Sequence, residues 1–152
     1  MFLSSLKSFF KTVFALALLF GFALLAGFLK DDLGFSLATD AQVRKEYYLY
    51  SASSQAVIKE SVTIEEWLRI KGESATFVFE TENQAKAFSQ RLLQEKKAMI
   101  VMKESAAGVE SVYAYAEENG AGVDFGCGKI NLHIARKGNT VCVGAPIVFG
   151  GF

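Results

Sequence analysis

Ser74 to Met102, SATFVFETENQAKAFSQRLLQEKKAMIVM, is the best-defined local unit of the chain. Ala75-Thr76-Phe77-Val78-Phe79-Glu80 reads as a short strand, with Phe77 and Phe79 on one side and Val78 on the other. Thr81 followed three residues later by Gln84 is a capping box that opens a helix. Ala85, Phe88 and Leu92 recur at helical spacing, so one side of this helix is apolar. Glu82 with Lys86, and Arg91 with Glu95, stand four apart and are placed to pair on the wet side. Ala98 to Met102 is the strand that follows. A strand–helix–strand crossover of this size predicts two strands in parallel, with another strand between them.

Ahead of this unit, Val43 to Ser51 holds Tyr47, Tyr48 and Tyr50 and has strand propensity. Ala56 to Val62 is a second strand, separated from the first by the small, polar Ser51-Ala52-Ser53-Ser54. Thr63 and Glu66 form another capping box before a short helix. Ile64, Trp67, Leu68 and Ile70 give that helix an apolar side, and Gly72 is placed as its stop. Behind the unit the chain reads as a β-meander. Ala106-Ala107-Gly108 is a turn and Glu110 to Glu117 a strand. Asn119 to Gly122 is a loop, and Gly126-Cys127-Gly128 is a tight turn. Ile130, Leu132 and Ile134 alternate with Asn131, His133 and Ala135, the period of a half-buried strand. Gly138-Asn139 is a two-residue hairpin signal. In the last strand, Thr140 to Phe149, the chain's only proline, Pro146, predicts an edge position or a bulge.

The N-terminus sets the address. Thr12 to Leu29, TVFALALLFGFALLAGFL, carries no charge, amide or proline. As a helix it would rise roughly 27 Å, close to the hydrocarbon thickness of a bilayer. Lys7 and Lys11 precede it without an acid, the bias that keeps an N-terminus in the cytoplasm. Residues 1–29 are therefore read as a signal peptide or an N-terminal transmembrane anchor, and 30–42 as a linker. Residues 43–152 are read as a single extracytoplasmic domain. Small residues at Ser36 and Ala38 mark a cleavage position after Ala38. The two readings, a membrane-anchored domain facing outward and a secreted one, stay open.

Composition narrows the function classes. Without its first 38 residues the chain keeps 13 of its 16 Lys and Arg and 14 of its 16 Asp and Glu, so the remainder is near neutral. Its basic residues occur singly or in pairs, such as Lys96-Lys97 and Arg136-Lys137. Nucleic-acid binding is not expected, because displacing counterions from phosphates takes a concentrated basic face.

The run Ile130-Asn131-Leu132-His133-Ile134-Ala135, followed by Thr140-Val141-Cys142-Val143-Gly144-Ala145-Pro146-Ile147-Val148, resembles the close of the YwmB-like family, exported proteins of spore-forming Gram-positive bacteria. The likeness covers Ala98 to Phe152. It implies an α+β fold similar to the TATA-box-binding protein, a mostly antiparallel sheet with helices packed on one face. Here an N-terminal hydrophobic helix would precede it. It also implies a link to sporulation, and it brings no catalytic residues with it. A shared fold does not carry DNA binding across.

Each candidate residue also has a plainer reading. His133, the only histidine, reads as a surface or cross-strand residue and cannot make a histidine metal site alone. Outside the cytoplasm the only two cysteines, Cys127 and Cys142, point to a disulfide. Against the bond, Cys127 sits at a turn tip and Cys142 within a strand, opposite Ala135 if the hairpin is regular. Tyr48 with Tyr50, and Tyr113 with Tyr115, form either an interaction surface or packing against helices. No catalytic residue, cofactor or metal is predicted. The expectation is a non-enzymatic domain that touches the membrane through its N-terminal helix and binds a protein or envelope component. The alternatives are a nucleic-acid-binding module by fold analogy and, further off, a cell-wall hydrolase.

Overall fold

The computed structural model describes residues 10–21, 33–38, 40–49 and 57–148. The chain divides into two units, Met1–Asp31 and Asp32–Phe152. In the first, residues 10–21 form helix α1. No helix among the described residues is long and apolar enough to cross a membrane. Residues 22–29 of the stretch read as leader or anchor lie outside the described residues.

The second unit is α+β. Its elements run η1 (Phe35–Leu37), β1 (Gln42–Leu49), β2 (Val57–Lys59), α2 (Ile64–Trp67), β3 (Ile70–Val78) and α3 (Glu82–Glu95). They continue β4 (Met99–Ala106), β5 (Val109–Tyr115), η2 (Glu117–Asn119), β6 (Val123–Asp124), β7 (Lys129–Ile130), β8 (Leu132–Lys137) and β9 (Thr140–Ala145). Seven strands form one sheet in the order β2-β1-β3-β9-β8-β5-β4, and β6 and β7 make a separate hairpin. Every pairing is antiparallel.

Local chemistry explains the elements. Both capping boxes form: Thr63 and Glu66 at α2, Thr81 and Gln84 at α3. At α3 the Gln84 amide donates to the Thr81 hydroxyl, and Gln84 Oε1 accepts from the Thr81 amide. Ala85, Phe88 and Leu92 are the buried stripe of α3. Phe88 sits 4.8 Å from Phe77 and 5.1 Å from Phe79, ring centre to centre, while Val78 faces out. Ala75, Leu132, Ile134, Val141 and Val143 complete this core. Burying a side chain of the size of Phe88 or Leu92 is worth about 1.5–3 kcal/mol.

Several expectations are corrected. The strands flanking α3 do run the same way, but three strands, β9, β8 and β5, lie between them. The last strand is central, because β9 ends at Ala145 and Pro146 removes no donor from the ladder. Gly72 does not stop a helix: α2 ends at Trp67, and Gly72 lies inside β3, where a Cβ would meet the Ala145 carbonyl oxygen at 2.8 Å. Glu82 pairs with Arg136 instead of Lys86. β8 is buried on both faces, not one, since His133 and Ala135 are enclosed as well as Leu132 and Ile134.

The stretch read as a linker supplies core. Leu33 is 1% exposed and Ala38 is 5% exposed, and Leu37 and Ala41 pack beside them. A Cβ on Gly34 would meet Leu92 at 2.7 Å, so this segment lies hard against α3. Leu33→Ala should therefore lower unfolding free energy by about 2–5 kcal/mol, as for any enclosed leucine. Val78→Ala, on the exposed side of β3, should change it far less. Urea titrations of the two variants measure this, and an unchanged midpoint for Leu33→Ala would return the segment to a linker.

Candidate functional site

The helix layer covers only part of the sheet. α3 lies over β9 and β8. One flank of α3 is filled by the Leu33–Ala38 segment. The other is open, a groove of about 460 Å³ between α3 and the β5–β4 wing. Leu93, Val112 and Ile134 give it apolar walls, Lys86, Lys103 and Arg136 bring positive charge, and Glu104 and Glu110 bring negative charge. The three cations differ. Arg136 donates to Glu82 at 2.9 Å and to Glu110 at 2.5 Å, and its side chain is 10% exposed. Those carboxylates, Glu82 first, push the guanidinium pKa up. Lys86 and Lys103 form no ion pair among the described residues.

The opposite face of the β5–β4 wing carries an aromatic column. His133 stacks on Tyr113 at 4.2 Å and 13°, because the two stand opposite in the β8–β5 register. Tyr113 stacks in turn on Phe125 at 5.5 Å, which belongs to the turn of the β6–β7 hairpin. The Tyr113 hydroxyl donates to Glu104 at 3.1 Å, and burial followed by Glu104 raises its pKa. The Val148 amide donates to His133 Nδ1 at 3.2 Å, tying the segment after β9 onto this face. His133 is 7% exposed, and its Nε2 has no partner among the described residues. Burial lowers its pKa to about 4, against the weaker pull of Glu104.

Beyond the column the sheet ends in apolar surface. Met99 is 66% exposed and Ile100 42%. Met99, Val101, Tyr115 and Cys127 line a shallow depression under the β6–β7 turn.

The residues singled out from sequence are not brought together. Tyr48 is 2% exposed and its hydroxyl hydrogen-bonds Ser74 Oγ, so it is packing and not surface. Tyr50 lies outside the described residues. Tyr113 and Tyr115 stand on β5, four strand spacings from Tyr48, roughly 19 Å. Cys127 and Cys142 are both free thiols. Cys142 lies on β9 against Thr76 Oγ1 at 3.4 Å, while Cys127 lies over the β4 edge, roughly 10–14 Å of sheet away and beyond disulfide reach. Burial pushes the Cys142 thiol pKa up, away from the thiolate that nucleophilic chemistry uses. No group of three or more metal-ligating side chains occurs among the described residues. The sequence reading missed Lys86, Lys103 and Met99, which acquire meaning only from strand order.

Comparison with protein-family models, with curated proteins and with solved structures finds no match to this chain.

His133 predicts a pH dependence. Its folded pKa of about 4 is below the unfolded 6.5, so between those values the unfolded chain binds more protons. Stability is full above pH 6.5 and falls as pH drops toward 4, on the order of 1 kcal/mol per pH unit. Urea midpoints at about pH 7, 5.5 and 4.5 should show this slope, and His133→Phe should flatten it. Parallel slopes in both proteins would refute the assignment.

Proposed function

We propose that this chain is a non-catalytic binding module of the cell envelope, taken across the membrane by its apolar N-terminal segment. The observation that carries this reading is the apolar end of the sheet. Met99 and Ile100 on β4 are 66% and 42% exposed, and Val123 on β6 and Phe125 after it are each 44% exposed, so large apolar side chains stand uncovered at this end of the sheet. Exposed apolar side chains that gather in one region of a surface mark interaction sites. The run Thr12–Leu29 supports export. Burial of Leu33 favours an anchor that is kept, since cleavage after Ala38 would strip a core residue from the second unit. A YwmB-like kinship, with its TATA-box-binding-protein-like sheet and sporulation setting, belongs to the same proposal. An antiparallel sheet with α3 across one face supports that kinship at the level of architecture. The nucleic-acid reading has less behind it, because Arg44 on β1 is paired with both Glu46 and Glu60 at 2.9 Å.

Cell fractionation should recover the chain in the envelope or the medium. A photo-cross-linker at Met99 should capture an envelope partner that one at Glu80, exposed in the turn between β3 and α3, does not. Native full-length protein found only in the cytosol would overturn the proposal. Wall digestion abolished by Cys142→Ser would replace it with a hydrolase.

A further inference from the structure

The sheet ends differently on its two sides. β2 offers three residues, and β4 offers eight. Among the described residues β4 pairs only with β5, so alternate backbone N–H and C=O groups along it point outward. Its register is interrupted between Ile100 and Met102, where Val101 is the extra residue of a bulge. Beyond the bulge, Lys103 to Ala106 pairs without a break with Val109 to Val112. This leaves a regular outer edge four residues long.

Charge selects what would fit there. Arg136 is neutralised by Glu82 and Glu110, while Glu104 accepts from the Tyr113 hydroxyl and keeps its negative charge. Lys103 and Lys86, which line the helix-side groove next to this edge, have no such partner among the described residues. A second copy pairing by its own β4 in a register centred on Lys103 or Glu104 would set like charges opposite each other, which is unfavourable. An incoming strand with carboxylates opposite Lys103 gains both the edge hydrogen bonds and two ammonium partners. Its alternate residues fall on the face of Met102, Glu104 and Ala106, where uncharged apolar side chains avoid setting a second carboxylate against Glu104.

Resting on the binding-module reading, we propose that β4 accepts an extended strand from another protein, one alternating acidic and apolar residues. The strand continues the sheet by β-augmentation. Main-chain bonds to Lys103–Ala106 supply the affinity, and Lys103 with Lys86 supplies the choice of charge.

The test uses the full-length protein and three probes: a blocked octapeptide of four Glu-Val repeats, its Lys-Val counterpart, and sodium oleate. Amide chemical shifts and hydrogen exchange are read at low salt. The Glu-Val peptide should bind about tenfold tighter than the Lys-Val peptide and protect amides between Lys103 and Ala106. Lys103→Glu should reverse that preference while leaving the urea midpoint in place. Equal binding of both peptides, or protection at β2 instead, overturns the proposal. Oleate shifting the groove residues without protecting β4 amides overturns it in favour of an amphiphile. Concentration-dependent protection of the same amides without any peptide overturns it in favour of a second copy. If neither peptide binds while the Met99 cross-linker still captures an envelope partner, strand addition falls and the binding-module reading stands.

Discussion

The second unit depends on its last strand reaching the middle of the sheet. β9 pairs with β3 from Glu73–Ala145 to Val78–Thr140, and with β8 from His133–Gly144 to Lys137–Thr140. Without β9 the sheet separates into β2-β1-β3 and β8-β5-β4. The apolar stripe of α3 rests on both halves at once, on Phe77 from one and Leu132 and Ile134 from the other, with Val141 and Val143 between them. Neither half encloses that stripe alone. Pairing β3 with β9 makes the contacts that close the core non-local, a topology that slows folding.

The same strand organises the second face. Past β9 the chain turns back so closely over Gly144 that a Cβ there would lie 2.5 Å from the Ile147 carbonyl carbon, which leaves glycine as the residue that fits. The Val148 amide then reaches His133, and the β6–β7 turn brings Phe125 onto Tyr113. Asn131 closes this side by accepting from the Ala116 amide at 2.8 Å and donating to the carbonyls of Ala116 and Gly120 at 2.7 and 2.9 Å. The imidazole is thus walled in by backbone and rings, and its proton affinity is a property of the fold's completion more than of any neighbouring charge.

What could be read from sequence was local. Both capping boxes, the split of Phe77 and Phe79 from Val78, the Gly138-Asn139 turn and the placing of Ala135 opposite Cys142 follow from spacing alone, and all of them are present. What could not be read was which strand lies beside which. Period two in Ile130–Ala135 identifies an apolar side but carries no information about what covers the other, so His133 could be surface or interior. Pro146 reads as a strand residue because nothing nearby in the sequence marks the strand's end at Ala145. Glu82 has a helical partner in Lys86 by spacing, yet Arg136, which comes from β8, takes it. The candidate site was invisible for the same reason: Lys86, Lys103 and Met99 are ordinary residues until the strand order leaves them uncovered.

The two flanks of α3 set the final contrast. On one, the Leu33–Ala38 segment is drawn in until Leu33 is nearly sealed; on the other, the groove beside Leu93 stays open and the strand below it ends the sheet. A chain able to seal one flank with a short turn and a leucine has the means to seal the other. An open edge invites uncontrolled pairing, and such edges are commonly blunted by bulges and by charges on the strand. β4 carries both, the bulge at Val101 and the pair Lys103-Glu104. Those devices limit indiscriminate association while leaving Met99 and Ile100 in the open. The exposure of these two residues beside a guarded strand fits the proposed binding role.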